Sequence, residues 1–195
     1  MIYLNQLEYP HIPYNHNMAH GGPPAGRNSV KTSGCGLCCA AMVVDQLTDK
    51  SLTVEEAVRL SEDNGANLGI GTDMKVMGNL VAERFGLEAF YTSDIDEAIE
   101  CLKKGGRVIA LVGGSRDDGY VGLFTKSAHY VLLVSYDGNE FCILDPALTE
   151  TKYTEEGRAG RVRVEKPFVY SSKDEIMLAT EPYTRRYFLF YRKHH

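Results

Sequence analysis

The sequence predicts an α+β fold in which N-terminal helices pack on a mostly antiparallel β-sheet, and three observations carry that prediction. Apolar residues recur at helical spacing between Gly36 and Leu102, and short apolar runs replace them from Arg107 onward. Asp137-Gly138-Asn139 separates two of those runs with a tight-turn signal, so they form a hairpin. Helices first and strands second is the order of an α+β chain. The 195 residues are 44% hydrophobic, enough for one domain spanning 1–195 with a core of its own.

Residues 1–32 carry Pro10, Pro13, Pro23 and Pro24 with Gly21, Gly22 and Gly26 and little periodicity. They are expected to form an extended arm, with one short strand at 2–4, followed by an irregular loop. The first helix should run over 36–47, where Leu37, Ala40, Ala41, Val43, Val44 and Leu47 leave little polar face, so it should be buried. Thr53-Val54-Glu55-Glu56 has capping-box spacing and opens a short amphipathic helix through Leu60. Gly69-Ile70-Gly71-Thr72-Asp73 is a turn. The helix after it turns Met74, Met77, Leu80, Val81 and Phe85 inward and stops at Gly86. Asp94 caps a fourth helix with Ile95, Ala98, Ile99 and Leu102, ending at Gly105-Gly106. Strands are expected at 108–112, 130–136, 140–144, 161–164 and 187–191, with a short helix at 172–178. There is no internal repeat and no low-complexity segment.

Net charge is -5 with the two signs interspersed, and only Arg185-Arg186 and Arg192-Lys193 are locally basic. No nucleic-acid partner is expected. No apolar run approaches the roughly 18 residues of a membrane helix, so no membrane partner is expected either. Met1-Ile2-Tyr3-Leu4-Asn5-Gln6 lacks the pattern of a signal peptide, which points to the cytoplasm unless an export signal lies outside the given chain. Five cysteines is an odd number, and three of them crowd one helical turn, so reduced thiols are expected rather than a disulfide framework. Cys101 and Cys142 read as buried small hydrophobes. Nothing in the sequence speaks to oligomeric state.

The chemistry concentrates in Ser33-Gly34-Cys35-Gly36-Leu37-Cys38-Cys39. A cysteine at a helix N-terminus meets free amides and the positive end of the helix dipole, which favour the thiolate that attacks carbonyl carbon. Gly34 and Gly36 leave room beside the sulfur. Cys38 and Cys39 lie a turn deeper and read as packing. Downstream, Ala128-His129-Tyr130-Val131 opens an apolar strand and Ile143-Leu144-Asp145-Pro146 closes its hairpin partner. Antiparallel pairing around 137–139 brings Asp145 near His129, where it can fix the imidazole's tautomer and orientation. Cysteine at a helix start, then histidine, then aspartate is the chain order of a papain-like cysteine enzyme.

These blocks, with Tyr3-Leu4-Asn5-Gln6-Leu7-Glu8-Tyr9-Pro10, Ala41-Met42-Val43, Gly71-Thr72 and Gly86-Leu87, resemble the bacteriocin-leader-peptidase-like (C39-like) cysteine peptidases, in their stand-alone, transporter-free branch. The resemblance covers residues 3–147. It implies a papain-like fold, Cys35 as nucleophile, His129 as general base and acid, Asp145 as orienting carboxylate and Gln6 as an oxyanion donor beside the Cys35 N–H. It implies a peptide or small amide substrate, cut through an acyl-enzyme that either water (hydrolysis) or an amine (acyl transfer) resolves, with no metal or organic cofactor. Many relatives follow the cysteine with Gly-Pro-Thr or Gly-Pro-Ser, whereas this chain has Gly36-Leu37-Cys38.

Three other readings compete. Cys35 and Cys38 have the spacing of a thioredoxin-like dithiol, although what precedes them reads as loop rather than the strand, helix and strand that fold requires. A catalytically idle peptide-binding module on the same fold is a second. Zinc is weaker: no second cysteine pair stands at ligand spacing, and His11, His16 and His20 lie in a loop without a rigid frame. The segment 113–126, with Asp117-Asp118-Gly119, is expected to border the cleft.

Overall fold

The computed structural model describes residues 1–14 and 29–193. His16, His20 and most of the Pro/Gly-rich loop lie outside the described residues. A short helix α1 (Val30–Ser33) leads into α2 (Cys35–Leu47), α3 (Val54–Asp63) and α4 (Met74–Phe85), followed by strand β1 (Leu87–Thr92) and helix α5 (Ile95–Lys103). Then come β2 (Arg107–Gly113), β3 (Ala128–Tyr136), β4 (Glu140–Leu144), β5 (Arg163–Glu165), β6 (Phe168–Ser172), α6 (Lys173–Thr180) and β7 (Tyr187–Arg192). The seven strands form one antiparallel sheet in the order β1-β7-β2-β3-β4-β6-β5.

Helices cover both faces of this sheet, α2, α3 and α4 on one and α5 and α6 on the other. Alternate residues of β3 show the division. Tyr130 and Leu132 join α2, α3 and α4 in one core, together with Ile109, Phe188 and Phe190. Val131 and Leu133 join α5 and α6 in the other, with Val108, Ala110 and Val112. A strand buried on both faces has no polar side, which is why 130–133 reads as a continuous apolar run.

Helix α2 is sequestered from Gly36 through Val44, as a helix apolar all round must be. The expected capping box of α3 is present, with Thr53 and Glu56 each bonding the other's backbone N–H, and Asp73 and Asp94 cap α4 and α5 through their side chains. Gly86 stops α4 in the left-handed region at φ 70°, a conformation that costs a residue without a Cβ little.

Four expectations change. Residues 2–4 form no strand: the N-terminal segment instead makes a 3-10 turn, Gln6–Glu8, and bonds the stretch after β4. Gln6 N–H donates to Pro146 O at 2.7 Å and Tyr3 Oη to Asp145 O at 2.6 Å. The loop before Cys35 ends in a helical turn, α1, and is not irregular up to residue 32. Strands β1 and β6 escaped the sequence reading. β1 is an edge strand with Phe90 57% exposed, so it lacks the inward periodicity that marks a strand. Among the described residues no helix is long and apolar enough to cross a membrane.

Candidate active site

Cys35 is the first residue of α2, with Gly34 as its N-cap. A Cβ on Gly34 would lie 2.4 Å from Val30 Cγ1 and 2.6 Å from Val30 O, so only glycine lets α1 turn this sharply into α2. A Cβ on Gly36 would stand 3.1 Å from both Met74 Cε and Tyr130 Cδ2. The two glycines are therefore needed for close packing under the cysteine rather than for open space over it.

His129 sits near the start of β3, and its position relative to Asp145 depends on a β-bulge. Near the turn Ser135 pairs with Cys142, but past the bulge Leu132 pairs with Leu144. Continuing the second register places His129 across from Ala147 and Asp145 across from Val131, so His129 and Asp145 share a face as diagonal neighbours. Without the bulge, Asp145 would fall opposite Leu132 and face the other way. In the structure His129 Nε2 lies 2.8 Å from Asp145 Oδ1. Its other ring nitrogen, Nδ1, is left for the Cys35 thiol, and the two groups act on each other's ionisation.

Asp145 is fully buried and has four partners. Besides His129, the Ala147 N–H donates to Oδ1 at 2.9 Å, while Lys152 Nζ and Tyr153 Oη reach Oδ2 at 2.7 and 2.6 Å. Lys152 and Tyr153 come from a 3-10 turn, Lys152–Thr154, in a region from which the sequence reading drew no site residue. The available signal was chemical: a buried carboxylate with two oxygens needs more than one donor.

The electrostatics divide the thiols. Burial opposes ionisation of Cys35. The His129 hydrogen bond and charge, with the backbone amides of Tyr130 and Gly36, nonetheless hold its pKa below the ordinary thiol value. Burial pushes the Cys38 and Cys39 thiols up instead. Desolvation works against the His129 imidazolium, yet bonds to Asp145 and Cys35 lift its pKa to about 9. Burial would raise the Asp145 carboxyl, but Lys152 and His129 hold it well below the usual carboxylate range. All five cysteines are free, and no strand precedes α2 among the described residues. That is not the setting of a thioredoxin dithiol.

Cys35 and His129 open into a cleft of about 680 Å³, walled also by Gln6, Phe124, Lys126 and Lys152. Gln6 is buried in a 3-10 turn, not exposed on a strand. Its Nε2 donates to Lys31 O at 2.9 Å, and its Oε1 is buried without a partner. The segment before His129 reaches the cleft through residues 124–127, but its acidic tip is not part of the wall. Arg116 instead ties that end to Leu178 O and Glu181, at 2.8 and 3.0 Å. Leu37 and Cys38 are wholly buried and absent from the cleft, so the departure from the relatives' motif lies in the core.

A half-buried thiol, an imidazole and a carboxylate thus meet at one end of the central strand of an antiparallel sheet. The chain belongs to the Peptidase C39-like family, whose model matches residues 3–173. A solved structure from Bacillus anthracis, assigned as a C39-like peptidase, shares the fold with a TM-score of 0.55. Identity is 12%, over 95% of this chain and 97% of that one. No curated protein matches the chain in sequence.

Proposed function

We propose that the protein is a cysteine peptidase that hydrolyses a peptide or related amide bond through an acyl-enzyme. The contact chain from the Cys35 sulfur through the His129 ring to the Asp145 carboxylate, at the floor of a cleft, carries this reading. Cys35 is lowered and His129 raised, which favours thiolate and imidazolium as the reacting forms. The thiolate attacks the substrate carbonyl, and negative charge moves onto the carbonyl oxygen. The Cys35 backbone N–H and the second Nε2 hydrogen of Gln6 stabilise that charge. The imidazolium then gives its Nδ1 proton to the departing amine as the C–N bond breaks, leaving a thioester on Cys35. Water attacks the thioester, His129 takes its proton, and the acid product leaves with the thiolate restored. Asp145 holds the ring through Nε2, so that Nδ1 faces the sulfur in both half-reactions.

Iodoacetamide labelling at mildly acidic pH, mapped by mass spectrometry, tests this. Cys35 alone should be alkylated, and His129→Ala should slow the labelling by at least about tenfold, the loss expected when a thiolate loses its charged partner. Equal labelling of Cys35 and Cys38 with a reversible disulfide between them would support dithiol chemistry instead. An inert Cys35 would support a binding module without catalysis.

A further inference from the structure

The Asp145 carboxylate would have its hydrogen bonds without Lys152. Ala147 N–H and His129 serve Oδ1, and the Tyr153 hydroxyl serves Oδ2. What Lys152 adds is charge, and it adds it where charge is costly: the side chain is 9% exposed, its ammonium 2.7 Å from a carboxylate that is fully buried. Burying an ion pair is repaid only by close geometry, and it rarely stabilises a fold better than apolar packing would. This pair also sits on the one carboxylate that holds the His129 ring.

We propose that Lys152 is a positioning residue of this site: its ammonium fixes the outer oxygen of Asp145 and sets the pH range over which Cys35 and His129 form an ion pair. The inference rests on the reading of Cys35 and His129 given above. Along the row Cys35, His129, Asp145, Lys152 the charges alternate, and the row is neutral overall. Without Lys152 the carboxylate's field on the imidazole is uncompensated. Removing a cation raises the proton affinity of every neighbouring group, thiol and imidazole alike.

Little else nearby supplies a charge. Burial raises the phenols of Tyr3, Tyr14, Tyr130 and Tyr153, so they stay neutral. The same holds for the Cys38 and Cys39 thiols. On the cleft wall Glu155 and Arg158 pair with each other at 3.0 Å, Lys126 stands exposed at the rim, and Glu8 and Asp73 act on Tyr3 and Tyr130 from farther out.

The test is the pH profile of Cys35 alkylation in wild type, Lys152→Met, Lys152→Gln and Lys152→Arg, with circular dichroism to establish folding. Both limbs of the profile should move to higher pH by about one unit in the two neutral variants, and Lys152→Arg should restore them. If the neutral variants do not fold, the comparison is made in the Asp145→Asn background, which has no buried pair to break. Adding Lys152→Gln there must again raise both limbs. Limbs that stay in place in a folded variant would overturn the role of Lys152 while leaving Cys35 and His129 as read. A wild-type profile without a His129-dependent limb would overturn both.

Discussion

Asp145 is the residue on which the site's electrostatics converge, because it joins His129 to Lys152 and Tyr153 through two oxygens. Asp145→Asn should lower activity by about 10- to 1000-fold, since it keeps the shape but removes the charge that steadies the imidazolium. It also leaves Lys152 buried without a counter-charge, so stability should fall by about 3–5 kcal/mol, read as a lower denaturation midpoint. Gln6→Ala should reduce kcat by about 100-fold or more with little change in KM, as expected of a donor that acts on the transition state. The pH dependence follows from two opposite shifts. The proposed mechanism requires Cys35 deprotonated, which begins below its ordinary value of 9, and His129 protonated, which is lost as pH rises through about 9. The rate profile should therefore be a bell whose alkaline limb lies near pH 9. The placement of Cys35 at a helix start and of His129 beside Asp145 could be read from the sequence because each sits beside a strong local signal: a glycine pair, a strand start and a proline. Lys152 and Tyr153 could not, because they lie in a 3-10 turn with no periodicity and declare themselves only once Asp145 is known to be buried.

Helix α2 and the β3–β4 hairpin carry the site between them, and their junctions are its weak points. Gly34 is the only hinge between α1 and α2, so Gly34→Ala forces a clash with Val30 backbone and side chain. It should cost about 1–3 kcal/mol in thermal unfolding and slow Cys35 alkylation by displacing the helix start. The turn at Asp137-Gly138-Asn139 could be read from sequence, and so could the approximate partner of residue 129. The bulge between Leu133 and Ser135 could not be read, since Val134 looks like any other strand residue. That unreadable residue decides which face Asp145 takes.

The sheet as a whole is covered on both faces, and its two cores meet the site differently. Helices α2 to α4 were visible through caps and helical spacing, whereas β1 and β6 became strands only through their partners β7 and β4, a long-range fact that local pattern does not contain. Phe190 of β7 is fully buried on the α4 side, with Gly78 tight against its ring. Phe190→Ala should destabilise the protein by about 3–5 kcal/mol yet leave the Cys35 alkylation rate of the folded protein unchanged, which separates scaffold from chemistry. The most direct measurement of that chemistry is the ultraviolet absorbance of the thiolate, taken as wild type minus Cys35→Ser across pH. A thiolate signal already present at neutral pH, and lost in His129→Ala, is the expected result. A signal that rises only above the ordinary thiol value of 9, with or without His129, would contradict it.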